Sequence, residues 1–97
     1  MKTTTEILYI IRSYKPTAKE NYGVERMGIF GSAARGEQKE TSDVDIFYEG
    51  QPMSFIKIDK MQVELENMLG TKVDLVRLRD GMNAMLRKRI QTEGIYA

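Results

Sequence analysis

The run "SDVDIFYE", Ser42 to Glu49, constrains this chain more than any other segment. Its β-branched and aromatic residues alternate with polar ones, the pattern of a half-buried strand. In a strand, residues i and i+2 project to the same face, about 7 Å apart. Asp43 and Asp45 therefore share one face, while Val44 and Ile46 turn into the core. Two carboxylates held side by side repel unless a cation lies between them. A turn of small residues, Gly31-Ser32, stands ten residues upstream of the first aspartate. The fold has to bring these features together or leave the repulsion unexplained.

The remaining punctuation sets a scaffold around that strand. Thr3 and Glu6 have capping-box spacing, and Ile7, Leu8, Ile10, Ile11 and Tyr14 follow at helical intervals, predicting a helix over 4–14. Pro16 opens a second short helical segment, which Gly23 stops. "VERMGIF", residues 24–30, reads as a strand running into Gly31, and "SAARGE" as one or two helical turns from Ser32. After the Ser42–Glu49 strand, Gly50, Gln51 and Pro52 make a break. A helix then carries Phe55, Ile56, Ile58, Met61, Val63, Leu65, Met68 and Leu69 up to Gly70. "KVDLVRL", residues 72–78, is a third strand, and a last helix runs from about Gly81 to Glu93. The expected class is α/β of the α+β type: a small mixed sheet flanked by helices, in one domain over 1–97.

Composition narrows the chemistry. The chain has 97 residues, no cysteine and no histidine, which removes disulfides, thiolate nucleophiles, the usual zinc sites and the commonest general base. A metal here must be a hard cation on oxygen ligands, and a proton acceptor must be a carboxylate. A net charge of +1 supplies no global field for a membrane surface and argues against direct nucleic-acid binding. "ILYII" is too short for a signal or a membrane span and meets Arg12 at once, so a cytoplasmic protein is expected.

A third aspartate completes the pattern. Asp74 sits between Val73 and Leu75 in the third strand, where a carboxylate is costly without a partner. If the two strands are neighbours, Asp43, Asp45 and Asp74 converge, and three carboxylates make a magnesium site. Two Mg²⁺ ions about 4 Å apart can activate an attacking oxygen and steady a leaving phosphate. Gly31 lets backbone approach a phosphate closely, and Ser32 adds a hydroxyl and begins a helix. Alone, a Gly-Ser turn is nearly always just a turn, and a D-x-D pair is more often a solvated surface. Together, G-S-x10-D-x-D arises by chance in about one chain per thousand of this length.

The run "GSAARGEQKETSDVDI" resembles the signature of the minimal nucleotidyltransferases of the DNA polymerase β superfamily, with "YGVERMGIFGS" upstream and "LGTKVDLV" and "LRKRI…IYA" downstream. That resemblance implies a polymerase-β-like fold, ATP as substrate and two Mg²⁺ ions. It makes Gly31 and Ser32 phosphate-binding residues, with Arg35 structural or near phosphate. It makes Asp43 and Asp45 ligands of both metals, and Asp74 a third ligand that can take the proton of the attacking hydroxyl. It further implies an antitoxin that moves AMP onto a tyrosine of a helical HEPN-domain toxin. Ile46 stands where leucine is common. Two rivals remain at this level: an antitoxin that neutralises its partner by binding alone, and a transferase acting on a small molecule or an RNA end. Arg77, Arg79, Arg87, Lys88 and Arg89 form either a solvated helix face or a phosphate or partner contact.

Overall fold

The apolar stripe Ile7, Ile11, Tyr14 and Ala18 keeps the helical period straight through Pro16. In the computed structural model, which describes residues 2–97, that stripe is buried along one unbroken helix, α1 (Thr4–Tyr22). The expected interruption at Pro16 does not occur. Proline forfeits one backbone hydrogen bond, to the carbonyl of Arg12. Both residues lie on the exposed side, so water can satisfy that carbonyl while the buried stripe holds the helix together. The capping box at its start is present: Glu6 N–H donates to Thr3 Oγ1 at 3.1 Å, and Thr3 N–H donates to Glu6 Oε1 at 2.9 Å.

The other elements are β1 (Val24–Phe30), α2 (Gly31–Arg35), β2 (Val44–Gly50), α3 (Phe55–Leu69), β3 (Val73–Arg77), α4 (Ala84–Glu93) and β4 (Ile95–Tyr96). The four strands form one mixed sheet in the order β3-β2-β1-β4. β1 runs antiparallel to β2 and β4, whereas β2 and β3 are parallel and joined through α3. β4 is absent from the sequence-based scaffold, which stopped at Glu93.

Register sorts side chains into rows across the sheet. Ile29, Ile46 and Leu75 form one row, and they belong with the larger core cluster beneath α1 and α3. Phe30, Asp45 and Asp74 form the next row, which by strand alternation faces the other way. On that second face, Phe30 and Phe47 pack with Met82 and Ile90, and Leu86 of α4 joins them. α4 thus covers the apolar part of the second face. The carboxylates of the row lie at its open margin.

Two networks fix the scaffold on the first face. Tyr14 and Tyr22 of α1 both donate to Glu64 of α3, at 2.5 and 3.1 Å. On α3, Gln62 Nε2 donates to the Val73 carbonyl and Glu66 Oε2 accepts from Val73 N–H, so side chains satisfy the outer edge of β3. Methionine is used unevenly: Met27, Met61 and Met82 are buried, while Met68 and Met85 are exposed. The tyrosines divide likewise, Tyr14 and Tyr48 buried and Tyr9 exposed.

Candidate active site

The site begins where β1 ends. Phe30 is still extended, and Gly31 turns the chain with φ +68°, a left-handed conformation that favours glycine. The residue is doubly constrained. A Cβ built on Gly31 would lie 2.2 Å from Asp45 Oδ2 and 3.3 Å from Arg89 Nη2. The turn and the aspartate are therefore in direct contact, although they are distant in sequence. Ser32 follows in the first turn of α2, a helix of five residues closed by Gly36.

Asp45 pairs with Asp74 across the parallel strands, so their side chains leave the same face side by side. Asp43 lies one residue before β2 and is exposed, a slightly shorter strand than the expected Ser42 start. The pKa of the Asp45 carboxyl is raised above the ordinary value, first by burial and then by the charge of Asp74, with Asp43 adding to it. Arg89 and Arg35 act in the opposite sense. Two like charges and two cations thus surround one half-buried carboxylate.

The acidic row shares a face, but the convergence expected for a formed metal site is not met. Among the described residues, no three acidic side chains are placed to hold one ion. The donor set nonetheless suits a hard divalent cation: it consists of carboxylate oxygens, and the charge on its central member is disfavoured by burial and then by like charge. Asp43 and Asp74 are exposed.

Sequence reasoning missed Glu93, the last residue of α4. Its Oε2 accepts from Gly31 N–H at 3.3 Å and from Arg35 Nη1 at 3.0 Å, and stands 3.6 Å from Arg89 Nε. Arg35 Nε also donates to Glu37 at 3.0 Å. Arg89, which the sequence left between a solvated face and a phosphate contact, lies over the Phe30 ring at 5.7 Å and beside the Gly31 turn. The i,i+4 spacing of Arg89 and Glu93 was the available signal, but it reads equally as a surface pair.

Comparison with known proteins places the chain in a family. Residues 11–97 match the family model described as a nucleotidyltransferase domain. The chain is 44% identical over 99 residues to a Methanocaldococcus jannaschii protein provisionally named a protein adenylyltransferase, covering 99% of each. It is 37% identical over 97 residues to protein adenylyltransferase MntA of Thermococcus cleftensis, covering 99% of this chain and 97% of that one. Among solved structures, a chain assigned as a minimal nucleotidyltransferase superposes with TM-score 0.77 at 30% identity, over 97% of this chain and 95% of that one. An MNT antitoxin structure, in complex with a tri-AMPylated HEPN toxin of Shewanella oneidensis, shares the fold with TM-score 0.63 at 21% identity, over 96% of this chain and 66% of that one.

Proposed function

Since the chain belongs to the nucleotidyltransferase domain family, we propose that it is a protein adenylyltransferase that moves AMP from ATP to a tyrosine hydroxyl of a HEPN-domain toxin, and so acts as its antitoxin. The observation that carries this reading is the contact between Gly31 and Asp45 in the row that Asp45 shares with Asp74. It sets the Gly31-Ser32 turn against an acidic row, which supports reading the two as the halves of a nucleotidyl-transfer site. Relatives named for the same activity match along nearly the full chain. The fold neighbour bound to an AMPylated toxin supports the acceptor class.

In this reading, Gly31 and Ser32 take the phosphates leaving as pyrophosphate, and Arg35 neutralises them from α2. Asp43, Asp45 and Asp74 would hold two Mg²⁺ ions, which when bound neutralise charge on the triphosphate and lower the barrier to attack. The acceptor oxygen attacks the α-phosphorus in line. A new oxygen–phosphorus bond forms as the bond to pyrophosphate breaks, and the hydroxyl proton passes to Asp74. The open margin of the sheet suits an acceptor presented by another protein, because Asp74 is exposed rather than enclosed.

The test is incubation of the protein with ATP, Mg²⁺ and the helical partner, read by intact mass and tyrosine mapping. A mass gain of one or more AMP units on the partner is expected. A neutralised but unmodified partner would replace catalysis with occlusion. AMP on a small molecule or RNA end instead would keep the enzyme and change the acceptor.

A further inference from the structure

One oxygen of Glu93 gathers three donors that a nucleotide phosphate would use. Gly31 N–H and Arg35 Nη1 both donate to Glu93 Oε2, and Arg89, with its Nε 3.6 Å away, is the second cation around it. Convergence of a turn N–H with two guanidinium groups is the usual environment of a phosphoryl oxygen. Here the chain's own carboxylate fills it. Glu93 is held in place from both sides: its helix packs through Ile90 against Phe30 and Phe47, and the next residues pair with β1 as β4.

We propose that Glu93 is a competing anion, seated in the phosphate cradle and displaced when the triphosphate binds. The inference rests on the reading of Gly31 and Arg35 as nucleotide-binding residues. In the empty enzyme Glu93 keeps Arg35 and Arg89 near the turn and offsets their mutual repulsion. A triphosphate brings more charge and more oxygens than one carboxylate, so it wins the three donors. Glu93 then swings outward, and the two arginines transfer to the phosphates. The exchange lowers apparent affinity by whatever the Glu93 contacts contribute. Side-chain exposure is 27% for Glu93 against 41% and 47% for Arg35 and Arg89. Partly exposed pairs of this kind are each worth up to about fivefold in an equilibrium constant.

Glu93→Gln tests it, because the amide oxygen can still accept from Gly31 N–H while the charge that holds both arginines is gone. Binding of AMP-PNP with Mg²⁺ is measured by calorimetry on the full chain, with thermal melting of each unliganded protein alongside. The expected result is a dissociation constant about three- to tenfold lower in Glu93→Gln, together with an equal or lower melting temperature. Glu93→Asp, which keeps the charge but draws it back by one methylene, should fall between the two. A purely structural role predicts the opposite sign, weaker binding that tracks lost stability. Wild-type binding with an equal or weaker Glu93→Gln overturns this inference and leaves the nucleotide reading intact. No binding by either protein overturns the nucleotide reading and this inference with it.

Discussion

Asp45 and Asp74 face each other across two parallel strands, in register and on the same side of the sheet. An acidic pair in that position has a thermodynamic consequence even before any substrate arrives. The folded state holds the proton of Asp45 more tightly than the unfolded chain does, because burial and Asp74 both disfavour its charge. Stability contributed by this group is therefore greatest at low pH. It falls as pH rises from the unfolded carboxylate value of 3.8 through the raised folded value, and the penalty is complete above that.

Asp45→Asn should consequently be more stable than the wild type at neutral pH in EDTA, and the gap should close as the pH is lowered below the ordinary carboxylate range. Mg²⁺ should raise the melting temperature of the wild type more than that of the variant, since ligand that binds only the folded state stabilises it. Thermal melts across pH, with and without Mg²⁺, check both parts. Identical Mg²⁺ responses would remove the metal from this site.

Gly31→Ala should damage the site more than any change at Ser32. Alanine must adopt a left-handed backbone, costing about 1–2 kcal/mol, and its methyl would enter the space of Asp45 Oδ2. The carboxylate has to move, so the acidic row shifts with it. Urea unfolding should show a loss of that size, and the AMP-transfer rate should drop well beyond what stability explains. A variant with normal transfer would mean that the contact is incidental.

The short strand β4 is held by a second close approach. A Cβ on Gly28 would stand 2.3 Å from the Ile95 carbonyl and 2.7 Å from the Phe47 ring. Overpacking at such a point typically costs about 1–3 kcal/mol. Gly28→Ala should therefore free β4, detach Tyr96 from Glu49, and speed amide exchange over 94–97. Unchanged exchange there would show that the strand adjusts instead.

How far the sequence revealed the geometry of the candidate site depended on range. Gly31, Asp45 and Asp74 were legible because each breaks a local rule: a turn glycine before a helix, and carboxylates inside apolar strands. The helix ends at Gly23 and Gly70 were legible for the same local reason. Pro16 misled because its local signal was overridden by a buried stripe on the far side of the helix. β4 was missed because two residues gain a strand's hydrogen bonds only from a partner far away in sequence. Glu93 was missed because its three contacts come from the first and last residues of α2 and from its own helix at once. Only the i,i+4 spacing with Arg89 hints at that meeting, and it reads equally as a surface pair.

Asp43→Asn, Asp45→Asn and Ser32→Ala should separate chemistry from partner binding. The two aspartate changes keep the side-chain shape and remove charge, so transfer should fall by orders of magnitude if these groups hold the metals. Ser32→Ala removes one hydroxyl from the proposed phosphate turn and should cost less, about 1–3 kcal/mol of transition-state stabilisation, or roughly 5- to 150-fold in rate. Ser32 is partly exposed and contributes no core packing, so its loss should barely move the melting temperature. Partner affinity should stay near the wild-type level in all three, because none of these changes removes an exposed apolar side chain such as Phe55, Ile56 or Met85. The measurement is the AMP mass gain on the helical partner, beside a pull-down with the same proteins. Aspartate variants that still modify the partner would show that the reaction takes place elsewhere on the molecule. Variants that fail to bind it would place the acidic row inside the contact surface itself.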